Sequence, residues 1–208
     1  MKLTRDEEGS LTLEAALILP WFLAFVLALI ALIQLSIVDM SLRSTVSQSS
    51  KQLAVYMYAV EKTLQTSKIT VIADVVSKAN DTLTSMESNG QVLGGPAALI
   101  PKEMLDLAFQ LRGMANNAYN QGEQWANQKV IQYARGPLKS FMTQYADKSI
   151  LDPGRLEIIH LDVPNFLDKS KAYLGIEAQY KQKLLIPFFT IEINVRKKAY
   201  ERVWIGNT

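Results

Sequence analysis

The spacing of hydrophobic and polar positions divides the chain into three regimes. From Ala15 to Ile33 every residue is apolar or, at Pro20, neutral; Gln34 and Ser36 are the only polar interruptions before Asp39. About 20 helical residues at 1.5 Å each cross a hydrocarbon layer roughly 30 Å thick, so this run predicts a membrane helix over residues 10–38. Three readings of the run compete. A cleavable secretory signal needs a shorter apolar core and a small-residue cut site, which Gln34-Leu35-Ser36-Ile37-Val38 lacks. A plain uncleaved anchor fits the length but leaves an acid, Glu14, unexplained at its entrance. In the third, a leader is removed ahead of a helix that stays in the membrane.

The second regime is amphipathic. Leu42, Val46, Ser49, Leu53, Tyr56 and Val60 recur at alternating spacings of four and three, and Ile69, Ile72, Val76, Ala79, Leu83 and Met86 repeat the pattern. Such spacing lays one apolar stripe along each helix, as a hairpin or small bundle requires. Neither Gly nor Pro occurs between Trp21 and Ser88, so the membrane helix is expected to continue for several turns beyond the surface. Ser88-Asn89-Gly90 and Gly94-Gly95-Pro96 form a loop by turn chemistry. Pro101 then opens a third helix, expected to run to about Ala134, and Gly136-Pro137 is expected to end it and start a short helix with Leu138, Phe141, Met142 and Tyr145.

The third regime begins at Asp152-Pro153-Gly154, where the period changes to two. Ala172, Leu174, Ile176, Ala178 and Tyr180 alternate with Lys171, Tyr173, Glu177, Gln179 and Lys181; Phe189, Ile191, Ile193 and Val195 alternate with Thr190, Glu192, Asn194 and Arg196. Each segment predicts a strand with one buried and one solvated face. Residues 155–163 read as a shorter, less regular strand, and Tyr200–Ile205 as an extension of the last one after a kink. The expected fold class is therefore α+β. An N-terminal transmembrane helix continues into helices over 39–150, and an antiparallel sheet of about three strands over 151–208 packs with them as one domain.

Composition narrows the functions. The 22 basic and 20 acidic residues leave a net charge of +2, so no strong field points to nucleic acid. Cysteine is absent, which removes disulfides, thiol chemistry and the His/Cys zinc spacings. His160 is the only histidine; there is no phosphate loop, nucleophile elbow or acidic calcium loop. No enzyme, cofactor or metal site is expected. Arg196, Lys197, Lys198 and Arg202 read as a basic, aggregation-resistant strand edge. Asn80-Asp81-Thr82 fits a glycosylation sequon that is common by chance. "LLIPFF", Leu184 to Phe189, sits at the expected hairpin; it either packs beneath the helices or meets a membrane or partner.

Glu14 has two readings. As an acid near a helix start it complements the helix dipole. Alternatively, a cut between Gly9 and Ser10 makes Glu14 the fifth residue, able to pair with the new terminal amine of a neighbouring subunit and set the register of assembly. Positive charges do not orient the span, since Lys2 and Arg5 on one side balance Arg43 and Lys51 on the other.

"GSLTLEAALILP" (Gly9 to Pro20) resembles the opening of TadE-like pilus assembly proteins, the pseudopilins of tight-adherence (Flp-type) pilus systems. The tail "AYERVWIG" (Ala199 to Gly206) is similar to endings of Gram-positive members. The match covers residues 9–33 well and the last ten weakly, and the leader differs in being acidic at Asp6-Glu7-Glu8. The resemblance implies residues 1–9 as a leader removed by a prepilin peptidase, a cytoplasmic N-terminus, and an extracytoplasmic bulk on a single bacterial membrane span. It implies assembly with other pilus subunits and membrane platform proteins as the function. The alternative from the residues alone is an unprocessed, membrane-anchored extracytoplasmic binding module.

Overall fold

The computed structural model describes residues 7–66, 100–101, 104–112, 123–164, 169–186 and 189–204. Its axis is a single helix, α1 (Glu7–Thr66), 60 residues and so roughly 90 Å long. As the lack of Gly and Pro after Trp21 predicts, it runs without interruption through the end of the apolar segment. Pro20 lies inside it, where the missing amide leaves the Ala16 carbonyl without its helical donor. The helix divides into two halves. Between Leu13 and Ile37 its large side chains are exposed, Trp21 at 80 %. From Val38 onward one face is buried: Leu42, Val46, Ser49, Leu53 and Val60 are covered, and Tyr56 is half-buried. These are the six positions of the first stripe. The second stripe, Ile69 to Met86, lies outside the described residues, as does the sequon.

Two further helices pack on that face. Residues 104–112 (α2) start where the Pro101 carbonyl accepts hydrogen bonds from the amides of Met104 and Leu105, both 2.9 Å. The third, α3 (Glu123–Tyr145), corrects the expected break: Gly136 and Pro137 lie within it rather than ending it. The proline removes the bond to the Tyr133 carbonyl, but Tyr133, Gly136 and Pro137 all face solvent, where water can satisfy that carbonyl. The opposite face carries Ala134, Leu138, Phe141 and Met142, each at most 1 % exposed, and their burial holds the helix in line.

After α3, a turn at Asp147 and a single 3-10 turn at Pro153–Arg155 lead into the sheet. Asp152 caps that turn, its carboxylate accepting from the Gly154 amide at 2.8 Å, so the change of period at Asp152-Pro153-Gly154 is a structural boundary. The sheet is an antiparallel meander, β1 (Leu156–Asp162), β2 (Tyr173–Ile186) and β3 (Phe189–Arg202), in the order β1-β2-β3. The α+β class and the three strands are as the pattern predicts. The expected kink before Tyr200 is absent: pairing with β2 is continuous from Tyr173↔Arg202 to Ile186↔Phe189, and the strand ends at Arg202. Val203 then leaves the strand, its amide donating to the Ala172 carbonyl at 2.8 Å.

The irregularity of β1 has a definite cause. Ile158 pairs with Ala178 and His160 with Glu177, so Ile159 is an extra, unpaired residue. A bulge of this kind reverses which face the following side chains use. Leu156 and Ile158 point into the core before it and Leu161 after it, and His160 and Asp162 are turned to the outer face. One core joins α1, α2, α3 and the inner sheet face, with Leu42, Leu53, Leu111, Leu138, Phe141, Ile158, Ile176 and Tyr180 among its members. At its far end Glu61 of α1 and Arg112 of α2 form an ion pair, 10 % and 12 % exposed.

Candidate functional site

The largest feature without a covering partner is the first half of α1. Its residues are long and apolar enough to cross a membrane, and only 6 % of the most hydrophobic stretch is buried, so it is not the core helix of a soluble fold. It is compatible with a single-pass membrane anchor. A fully apolar helix surface requires a non-aqueous surrounding, because about 25 cal/mol is at stake for each Å² left in water.

Glu14 stands on the exposed surface of this helix. The described helix already includes Glu7, so Gly9 and Ser10 lie within it and Glu14 lies beyond its first turn. That corrects the reading of Glu14 as a first-turn acid, since the dipole effect fades within one turn. No basic residue occurs between Arg5 and Arg43, so within its own chain Glu14 has no cation among the described residues.

Where the bare half of α1 meets the domain, a groove of about 810 Å³ opens between α1 and the end of α3. Leu29, Ile33 and Ile37 form its lower wall, Ser44 and Gln48 its upper wall, and Tyr145 and Ile150 its far side. Polar groups along it bond within the helix. Ser36 Oγ donates to the Leu32 carbonyl at 3.0 Å, and Gln48 Nε2 to Ser44 Oγ at 2.8 Å. Back-bonding of this sort lets a hydroxyl lie beside apolar material at low cost. Burial, then the neighbouring Tyr56, pushes the Tyr145 hydroxyl above its ordinary pKa. Asp147 is held below the carboxylate range by hydrogen bonds from the Ser149 side chain and amide.

A second cluster lies on the outer sheet face. The bulge brings His160 and Asp162 onto that face, and the β2–β3 register sets Tyr200 opposite Gly175, itself opposite Asp162. His160 Nε2 is 2.7 Å from Asp162 Oδ1, Lys198 Nζ is 3.0 Å from Asp162 Oδ2, and the Lys198 ammonium lies 4.6 Å from the centre of the Tyr200 ring. Burial raises the Asp162 pKa, but the hydrogen bonds from Lys198 and His160 outweigh it, and the carboxyl rests below its usual value. Contact with Tyr200, then Asp162, raises that of Lys198. Gly175 makes room for this cluster: a Cβ there would meet Tyr200 Cε1 at 2.6 Å and Asp162 Oδ2 at 2.7 Å.

The basic residues of β3 are therefore distributed rather than grouped along a solvated edge. Lys197 reaches Asp39 of α1 at 2.7 Å from the inner face, Lys198 reaches Asp162 from the outer face, and Arg196 donates to Gln179 Oε1 at 2.8 Å. Among the described residues no three His, Asp or Glu side chains come together as a metal site. Of the tail, Ala199 to Arg202 belong to β3, Trp204 is 73 % exposed, and Ile205 and Gly206 lie outside the described residues. Neither the groove nor the His160–Asp162–Lys198–Tyr200 cluster was anticipated. Both depend on which elements lie side by side, and the pattern along the chain carries that information only through a bulge it does not reveal. Comparison with protein-family models, curated proteins and solved structures returned no match.

Proposed function

We propose that this chain is a membrane-anchored, pseudopilin-like assembly subunit of a tight-adherence-type pilus or secretion system. Its first helix packs laterally in the bilayer, and its α+β domain contacts other subunits on the extracytoplasmic side. The observation that carries this reading is the division of one unbroken helix into a bare apolar half and a half packed within a domain. Such a shaft couples lateral packing in the membrane rigidly to the position of the outer domain. Glu14, exposed and without a cation partner among the described residues of its own chain, is the candidate contact for a neighbour's terminal amine. Gly9 and Ser10 are the candidate junction for a prepilin peptidase. The partners of this reading are the lipid bilayer, like subunits and platform membrane proteins, with no nucleic acid, cofactor or catalytic residue.

The intact mass of the membrane-extracted protein tests the junction. Loss of residues 1–9 is the expected result, and a full-length chain from Met1 would count against processing. Glu14→Gln tests the contact: crosslinking between neighbouring first helices should fall, and unchanged crosslinking would remove Glu14 from the account. A second reading, an unprocessed anchored binding module, is favoured by one observation, that α1 begins at Glu7 and runs through the junction as helix.

A further inference from the structure

The groove beside α1 crosses the level at which the uncharged segment ends, and its lining changes chemistry there. Phe141 of α3 meets Tyr56 of α1 at a ring separation of 5.9 Å, whereas Tyr145, Asp147 and Ile150 line the groove with α1 residues no later than Gln48. The end of α3 and the turn after it therefore descend toward the apolar half of α1. They form one wall of the groove. The other wall is a single face of α1, on which Leu29, Ile33 and Ile37, then Ser44 and Gln48, follow one another about a helical turn apart.

Asp39 carries the first charge after the uncharged run and marks the upper edge of the hydrocarbon. Leu29 lies about 15 Å below it along the helix, half the thickness of a hydrocarbon core of roughly 30 Å. The lower part of the groove is thus one leaflet deep. It is also continuous with the bare surface of α1, since Leu29, Leu32, Ile33 and Ile37 are between 44 % and 60 % exposed. Ser44 stands about 7.5 Å above Asp39, level with the headgroups. Its Oγ accepts from Gln48 Nε2 at 2.8 Å, so its own hydrogen remains to be donated. Asp147 is the one charged side chain lining the groove; Arg43 and Lys148 adjoin lining residues in sequence but do not line it. Asp147 Oδ1 accepts from the Ser149 amide at 2.9 Å and hydroxyl at 2.6 Å, bonds that hold the carboxyl below its usual pKa. Oδ2 has no partner among the described residues.

We infer that this groove holds one amine-bearing zwitterionic phospholipid, of the phosphatidylethanolamine class, from the leaflet on the domain's side. An acyl chain lies along residues 29–37, the phosphate accepts from the Ser44 hydroxyl, and the ammonium pairs with Asp147. The volume, about 810 Å³, is within the range of small-molecule sites. The charge pattern selects the headgroup. A primary ammonium donates charge-assisted hydrogen bonds to the free carboxylate oxygen, which a quaternary choline cannot do. A phosphatidylglycerol headgroup, negative and without an ammonium, meets Asp147 as a like charge. The bound lipid packs between α1 and the end of α3 and ties the height of the domain to the bilayer surface.

The inference rests on α1 crossing the bilayer, and the test separates the two claims. The chain lacks cysteine, so a thiol introduced by Leu23→Cys is unique. Full-length Leu23→Cys protein carrying a fluorophore there is placed in phosphatidylcholine nanodiscs, and shielding of the label from aqueous iodide establishes the span. The unlabelled full-length protein is then mixed in detergent with equal amounts of dioleoyl phosphatidylethanolamine, phosphatidylglycerol and phosphatidylcholine, and retained lipid is read by native mass spectrometry. A single phosphatidylethanolamine should be retained, about fivefold over either other lipid, the scale of one partly exposed ionic contact. Asp147→Asn should abolish that preference. Ser44→Trp, a bulky side chain at an exposed groove position, should lower retention of all three. Equal retention of the three lipids, a preference that survives Asp147→Asn, or retention unchanged by Ser44→Trp would each overturn the inference, while a shielded Leu23 label leaves the anchor standing. A dimer that retains no lipid would put a second copy in the groove and overturn it as well. If the Leu23 label is open to iodide, both claims fall together.

Discussion

The two halves of α1 differ both in hydrophobic content and in environment. Between Leu13 and Ile37 the apolar residues surround the helix on all sides and nearly all stay exposed; between Val38 and Glu61 most of them, Met40 and Val55 apart, keep to one face and are covered by the sheet and the other helices. A helix apolar all round asks for an apolar medium, whereas one with a single stripe asks for a packed partner in water. The boundary is marked by the first charge after the uncharged run, Asp39, which is paired across to Lys197. The lower half thus contributes little to the domain, through Ala31 and Leu35 only at its upper end, and the upper half belongs to its core.

Matched truncations test that contrast most severely. Leu53 is fully buried and Leu32 is 59 % exposed. Leu53→Ala should destabilise the domain by about 4 kcal/mol, within the range for a leucine removed from a close-packed core. Leu32→Ala should change it by less than about 0.5 kcal/mol, as for an exposed site. Denaturant unfolding of the detergent-solubilised protein, followed by near-UV circular dichroism, compares the two; equal effects would mean the halves are not energetically distinct.

The next effect in size is at the top of the packed half. Arg112→Met leaves the Glu61 carboxylate buried without its guanidinium and should cost about 3 kcal/mol. The double substitution with Glu61→Leu should recover much of that loss in the same unfolding experiment. A recovery under about 0.5 kcal/mol would show that the two side chains are not coupled.

Much of this contrast is legible in the sequence, because it is periodic. The stripe from Leu42 to Val60, the alternation in β2 and β3, and the unbroken run from Trp21 all follow from spacing alone. Other features turn on tertiary choices. Pro137 stays inside α3 because four buried residues, Ala134 to Met142, outweigh one hydrogen bond exposed to solvent. The outer-face cluster exists because Ile159 is bulged, and nothing in "LEIIHLD" states which of its residues is the extra one. Glu14 was visible as an unusual acid, but its distance from the helix start depended on how far α1 extends, and the helix runs back through the Gly9-Ser10 junction. The groove is bounded by Leu29 and Ile150, which are remote in sequence and brought together only by the descent of α3.

Ser49 sharpens the comparison further, being the one polar member of the buried stripe. Its hydroxyl and that of Ser50 are fully buried with no hydrogen-bond partner among the described residues. An unmet hydroxyl in such a place costs about 1–3 kcal/mol, and alanine also favours helix over serine slightly. Ser49→Ala should therefore raise stability by about 1 kcal/mol. A loss of stability instead would mean that the hydroxyl is bonded.

The smallest effect extends the comparison from the helix to the sheet, whose inner face is apolar and whose outer face holds the His160–Asp162–Lys198–Tyr200 cluster. Asp162 is held below its unfolded pKa, so its ionised form binds fewer protons folded than unfolded. The stability it contributes is present above the unfolded carboxylate range and is lost as pH falls through the folded value. Asp147 and Glu157 are lowered in the same direction, by Ser149 and by Lys181, and add to the acid side of the curve. Asp162→Asn should remove part of the acid-side slope while costing less than about 1 kcal/mol at neutral pH, the range of partly exposed ion pairs. Unfolding midpoints between pH 2 and 7 for the two proteins give the answer. Parallel curves would show that the outer face does not draw on this carboxylate, and that the difference in energetics between the two sheet faces is complete.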